Sequence, residues 1–143
     1  MSAETKTYPD NQILGSIETV SFPEFAAIGE IQGKIDTGAL TGALHCTRVF
    51  LKDIDGLSVL HFSPFDHPEI DITTKVFEKG TVRSSNGEEE ERYFIQTKIK
   101  IAGKIYPITL TLANRTVMQW DVLIGKRFLR DNKFLVDVNK GSE

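Results

Sequence analysis

Residues 34–46, KIDTGALTGALHC, place a carboxylate at the end of a short apolar lead-in and follow it at once with Thr-Gly-Ala. Asp36 stands where a strand would stop. Thr37 brings a hydroxyl that can donate to a neighbouring carbonyl or carboxylate. Gly38 lets the backbone turn sharply without Cβ interference. Such a turn can present Asp36 rigidly, as one half of an acid–base pair. It can equally be an ordinary Asx-turn, in which the side chain serves its own backbone. Three residues carry too little information to decide, so the rest of the chain has to.

A second patterned element lies near the C-terminus, Val122-Leu123-Ile124-Gly125-Lys126-Arg127-Phe128-Leu129. Apolar residues lead into a glycine, a basic residue and a short helix expected over 125–132. Between the two elements a hairpin is expected at 80–101, its tip at Asn86-Gly87, because both residues tolerate the positive φ of a type I′ turn. Glu88 to Glu91 follow the tip directly. As a solvated hairpin edge they discourage strand-to-strand aggregation; at a cleft mouth they would favour a basic peptide or bar an acidic one. Arg83 and Arg92 on the same hairpin either neutralise that run or contact a substrate carboxylate or phosphate. Ser84, Ser85 and Asn86 could hydrogen-bond a substrate backbone if the hairpin closes like a lid.

The elements that must position these groups read mostly as strands. Segments 15–22, 26–35, 45–63, 71–77, 80–85, 91–101, 105–112 and 134–138 are rich in β-branched and aromatic residues or alternate with a period of two. Asp55-Gly56 marks a turn inside 45–63. Gly29 and Gly33 suggest a hairpin turn or bulge before Ile35. Pro107 points to an edge position or an irregular strand start. Many short strands with one short late helix give an all-β barrel or sandwich. Met118 and Trp120 read as core filler ahead of Gly125.

Composition bounds the remaining possibilities. With 143 residues the chain is most simply one domain. A net charge of −3 gives no basic footprint for nucleic acid. No segment approaches the roughly 20 apolar residues needed to span a bilayer, and residues 1–12 carry no signal-peptide pattern. Cys46, the single cysteine, has no intramolecular partner. These features fit a protein of the reducing cytoplasm that binds neither nucleic acid nor membrane.

The Asp36 segment resembles the catalytic loop of retropepsin-like aspartic proteases, in which an apolar strand runs into Asp-Thr/Ser-Gly-Ala. The Gly125 element and the hairpin at 80–101 resemble that group's C-terminal element and flap. A more specific resemblance covers most of residues 13–138 and is weakest at 50–75. KIDTGALTGALH, VRSSNGEEEERYFIQTKIKIAGKIYPITLTLANRTVM and VLIGKRFLRDNKFLVDV look like successive blocks of a bacterial family long labelled "ATP-dependent zinc protease", which is related to RimK-associated proteins. The resemblance implies a retropepsin-like closed barrel over 13–138 with one short C-terminal helix, and flexible ends at 1–12 and 139–143. It implies Asp36 as the catalytic residue, supported by Thr37, Gly38 and Ala39. Ile124, Gly125 and Lys126 become structural neighbours of the site. Arg83, Ser84, Ser85, Asn86, Gly87 and Arg92 become flap or substrate-binding residues.

Peptide hydrolysis of this kind needs two facing carboxylates that share a proton, one acting on a water and the other on the scissile carbonyl. None of the other aspartates (10, 53, 55, 66, 71, 121, 131, 137) is followed by Thr/Ser-Gly. A working site therefore requires Asp36 from each of two subunits, and homodimerisation becomes a mechanistic requirement. The family label implies more than the residues offer. The chain has no G-x-x-x-x-G-K-[ST] loop for ATP and no H-E-x-x-H for zinc. His45 reads as packing at a strand start, while His61 and His67 flank the irregular stretch 64–71. No metal and no cofactor are expected. Leu40 and Lys126 depart from the acid–arginine pairing of retroviral members, and the bacterial family usually shows Arg at or near position 40. Three functions follow: an aspartic endopeptidase, a non-catalytic module binding a peptide or partner by strand addition, and an enzyme cleaving unusual amide bonds such as glutamate tails.

Overall fold

The computed structural model describes residues 9, 12–83, 87–113 and 120–140. The strands are β1 (Ile13–Leu14), β2 (Ile17–Val20), β3 (Ile31–Ile35), β4 (Gly42–Ile54), β5 (Leu57–Pro64), β6 (Ile72–Thr74), β7 (Phe77–Arg83), β8 (Glu89–Ile101), β9 (Lys104–Ala113), β10 (Val122–Ile124) and β11 (Leu135–Val136). A 3₁₀ segment covers Pro23–Ile28, and the α-helix α1 covers Lys126–Asp131. The described residues are thus mostly β with one short α-helix, as the pattern of short strands implied.

The principal sheet runs β2-β3-β10-β4-β9-β8-β7, with β5 and β6 branching from β4. β10 lies parallel to β3 and antiparallel to β4, so the C-terminal element is threaded between the two strands that flank the Asp36 loop. β1 pairs in parallel with β11, tying the two ends of the domain together. Among the described residues the ladder does not close into a continuous barrel. Just past β2, pairing with β8 is a single bridge, Ser21–Lys100, with hydrogen bonds of 3.1 and 2.8 Å. Pro23 follows two residues on, and a proline has no N–H with which to extend pairing.

Alternation decides which faces are buried. On β8, Ile95, Thr97, Ile99 and Ile101 are buried, whereas Gln96, Lys98 and Lys100 are exposed. On β9, Ile108, Leu110 and Leu112 meet them from across the ladder. Phe22, Phe25, Phe62 and Phe65 fill one end of the core, with neighbouring ring centroids 5.5 to 6.4 Å apart. At the other end Phe128 of α1 stacks on Phe134 at 5.7 Å and meets Tyr106 edge-on at 5.8 Å. Burying a side chain of this size contributes roughly 1.5–3 kcal/mol each.

Two local expectations need adjustment. Segment 26–35 is not one strand: Pro23 starts a 3₁₀ turn that carries Phe25 into the core, and the strand begins only at Ile31. Gly33 sits inside β3 against Val20 rather than at a bulge. Pro107 lies within β9, but β4 joins that strand only from Leu110, so β9 is paired on one side alone at the proline. Asp55 and Gly56 do form the expected turn, with φ of 52° and 80°.

Candidate active site

Asp36 follows the last residue of β3, whose register with β10 pairs Ile35 with Ile124. The Asp36 N–H donates to the Ile124 carbonyl at 2.8 Å, which carries the ladder one residue beyond the strand. Asp36 Oδ1 accepts a hydrogen bond from the Gly38 N–H at 2.9 Å, and the Ala39 N–H reaches the Asp36 carbonyl at 3.3 Å. The Asx-turn and the presented carboxylate are therefore one arrangement. The turn fixes Oδ1, while Oδ2 has no hydrogen-bond partner among the described residues. Asp36 and Ala39 are half-buried; Thr37 and Gly38 are exposed.

The Gly125 element is locked onto this loop from below. The Lys126 N–H donates to the Ala39 carbonyl at 2.7 Å, and the Arg127 N–H donates to the Leu40 carbonyl at 3.0 Å. The first N–H groups of a helix lack intrahelical acceptors. Gly125, the N-cap, supplies no side-chain cap, so the loop carbonyls take that role. Crossing this closely demands glycine on both sides. A Cβ on Gly125 would lie 2.6 Å from the Gly42 nitrogen and 2.7 Å from the Thr41 carbonyl carbon, and one on Gly42 would overlap the Leu123 carbonyl oxygen. Ile124, Gly125 and Lys126 thus hold the loop through backbone contacts. The Lys126 and Arg127 side chains are exposed, as is Leu40 at 51%.

The flap candidates divide into two groups. Ser84, Ser85 and Asn86 lie outside the described residues. Arg83 pairs with Glu89 at 3.7 Å and Lys79 with Glu91 at 3.3 Å, all four side chains being more than half exposed. Such pairs contribute little to stability. They agree with reading the acidic run as a solvated hairpin edge. Arg92 is different. Its side chain is 11% exposed, its Nη2 donates to Glu90 at 3.1 Å, and its Nη1 reaches Thr111 Oγ1 at 3.4 Å. Thr111 donates in turn to the Gly42 carbonyl at 3.2 Å. Arg92 Nε is buried without a hydrogen-bond partner. This guanidinium lines a cleft of about 510 Å³ between β4 and β8, together with Thr47, Arg48, Phe50 and Tyr93. A second cleft of about 280 Å³ lies beside α1, between Thr41, Gln96 and Phe128. Asp36 lines neither.

Other reactive side chains are committed elsewhere. Cys46 is fully buried, and burial pushes its thiol up to about 12, so it holds its proton and is no nucleophile. Each histidine meets a carboxylate: His45 with Asp66 at 3.2 Å, His61 with Asp71 at 2.9 Å, His67 with Glu69 at 3.0 Å. A backbone hydrogen bond, and then one from His67, hold the exposed Glu69 carboxyl below its usual range. Trp120 is half-buried, while Met118 falls outside the described residues. Asp121 joins His45 and Asp66 in a group that the sequence pattern did not reveal. No helix among the described residues is long and apolar enough to cross a membrane.

Comparison with known proteins places the chain in a family. A profile of the family described as "Retropepsin-like aspartic endopeptidase RimB" matches residues 13–142. Curated proteins named "Probable alpha-L-glutamate ligase" are also similar. The one from Desulfotalea psychrophila is 33% identical over 88% of this chain and 28% of its own length. The one from Shewanella pealeana is 31% identical over 90% of this chain and 29% of its own length. The chain therefore spans less than a third of the curated relatives it matches. A crystal structure of a Legionella pneumophila protein of unknown function superposes with a TM-score of 0.68 at 24% identity, covering 91% of this chain and 95% of that one. At that identity the likeness concerns the fold.

Proposed function

The chain belongs to the RimB-like family of retropepsin-like aspartic endopeptidases, and from that premise we propose that it hydrolyses peptide bonds as a homodimer with Asp36 from each protomer at one shared site. The observation that carries this reading is the locked loop. Asp36 is held by Ile124 and Gly38, and among the described residues nothing bonds its Oδ2 at the end of β3. A single chain offers one such carboxylate, because Asp-Thr-Gly occurs once. A two-fold axis beside the loop supplies the second. The exposed Leu40, next to Ala39, lies where a partner would cover it.

In that site one Asp36 carboxylate takes a proton from a water as the water oxygen attacks the scissile carbonyl carbon. The other Asp36, protonated, hydrogen-bonds the carbonyl oxygen as charge develops there. Collapse of the tetrahedral species breaks the C–N bond, and the proton passes to the leaving amine. No metal or cofactor enters these steps. A lone buried cysteine suits the reducing cytoplasm.

A second element concerns the substrate. The Arg92 and Arg48 cleft and the ligase names of the relatives favour a peptide rich in glutamate, because a half-satisfied buried guanidinium is a ready partner for a carboxylate. The paired Glu88–Glu91 run leaves room for this, since Glu89, Glu90 and Glu91 are each bonded to a cation of their own hairpin. Asp36→Asn tests the whole reading. Cleavage of a mixed peptide library, followed by mass spectrometry, should vanish while sedimentation and circular dichroism stay unchanged. Cleavage that persists in the variant rejects the mechanism. A wild-type dimer that binds peptides but never cuts them makes the protein a non-catalytic binding module.

A further inference from the structure

We propose that His45, Asp66 and Asp121 form a site for one divalent first-row transition cation, apart from Asp36. Three different parts of the fold supply the ligands: β4, the segment after β5, and the entry to β10. One ligand atom from each lies within 4.8 Å of the others. His45 Nε2 and Asp66 Oδ1 are already 3.2 Å apart. Two ligands of a tetrahedral Zn²⁺ stand about 3.3 Å from each other, given bond lengths near 2 Å. Asp66 is 82% exposed, so its carboxylate has room to close the remaining gap toward Asp121.

Several observations favour a cation over a plain His–Asp pair. The imidazole is 3% exposed, which fixes its ring and turns Nε2 toward the carboxylates. The Asp121 side chain is half-buried and has no hydrogen bond or ion pair among the described residues. A pair between His45 and Asp66 leaves that second carboxylate uncompensated beside the first, an arrangement like charges disfavour and a cation relieves. The backbone holds the ligands in place. The His45 N–H donates to the Asp121 carbonyl at 2.8 Å, and the Phe65 N–H donates to the His45 carbonyl at 2.7 Å. Phe65 adopts a left-handed φ of 57°, strain in a bulky residue that sets Asp66 over the ring. One imidazole nitrogen and two carboxylate oxygens form a mixed set suited to Zn²⁺ or Mn²⁺, with positions left for water. Asp121 immediately precedes β10, whose Ile124 carbonyl holds the Asp36 N–H, so an occupied site would brace that strand.

Trp120, the single tryptophan, adjoins Asp121 and reports on the site directly. Full-length protein stripped with chelator is titrated with Zn²⁺, and separately with Mn²⁺, while Trp120 emission and the melting midpoint are followed. The expected result is a saturable emission change with a Kd below about 100 µM, and a midpoint raised by about 5–10 °C at a hundredfold excess over Kd. Asp66→Asn and Asp121→Asn should each weaken binding tenfold or more while melting like wild type in chelator. Asp36→Asn should bind the metal unchanged. No saturable response to either ion up to about 1 mM overturns the proposal, and so does equal affinity in wild type and both carboxamide variants.

Discussion

Replacing Gly125 with alanine tests whether the loop and the C-terminal element are locked together as tightly as their backbone contacts imply. The new Cβ would lie 2.6, 2.7 and 2.9 Å from backbone atoms of Gly42, Thr41 and Leu40, in that order. Carbon normally keeps about 3.5 Å or more from such atoms, so the two segments must separate by roughly 0.5–1 Å. Overpacking of this kind costs about 1–3 kcal/mol. The hydrogen bonds from Lys126 and Arg127 to the loop are stretched as well, and each contributes about 0.5–1.5 kcal/mol. The expected loss is therefore about 2–6 kcal/mol. In urea this lowers the unfolding midpoint by about 1–3 M, taking a slope near 2 kcal/mol per M. Gly38→Ala is the matched control. Its Cβ would meet only Asp36 Oδ1, at 3.3 Å. Stability should change by less than about 1 kcal/mol, while cleavage falls because the carboxylate is pushed aside. A Gly125→Ala protein that loses less than about 0.5 kcal/mol refutes the claim that the two segments are locked.

Phe128→Ala removes the ring between Phe134 and Tyr106 and should cost about 3–5 kcal/mol in the same urea assay. Cys46 gives a pH signature. Its folded-state value near 12 lies above the ordinary 9.0, so its contribution is intact below pH 9 and is lost as pH rises from there toward 12. Over that window the wild type should lose up to about 1.4 kcal/mol per pH unit more than Cys46→Ala; parallel stability curves for the two proteins would contradict this. Arg92→Gln should raise KM for glutamate-rich peptides about tenfold or more and leave kcat and neutral peptides nearly unchanged; equal effects on both peptide classes would remove Arg92 from substrate recognition.

What could be read in the sequence follows the range of each interaction. β8 and β9 were legible because one face of each is buried and the period of two is written in adjacent residues. The Asp55-Gly56 turn and α1 were legible for the same local reason. The 3₁₀ segment Pro23–Ile28 was not, since its Phe25-Ala26-Ala27-Ile28 run is as apolar as a strand, and only tertiary packing of Phe25 selects the turn. The strand segment expected from residue 45 starts earlier, at Gly42, because a parallel partner on β9 recruits it. The pairing of β1 with β11 joins the two ends of the domain and leaves no local mark. Asp36 and Gly125 were legible at the site as short motifs, though not the backbone bonds joining them. His45, Asp66 and Asp121 lie too far apart along the chain for any spacing rule to link them. The departure of Arg92 from a simple surface pair depends on burial, which a charge pattern does not carry.

The most direct measurement is subunit mixing. Wild-type and Asp36→Asn protomers are combined in equal amounts, allowed to exchange, and assayed for peptide cleavage at constant total protein. If each site uses both Asp36 side chains, only wild-type pairs are active, and the rate falls to about one quarter of the unmixed wild type. A rate of about one half would mean that each wild-type protomer works alone, and would contradict a shared pair of carboxylates.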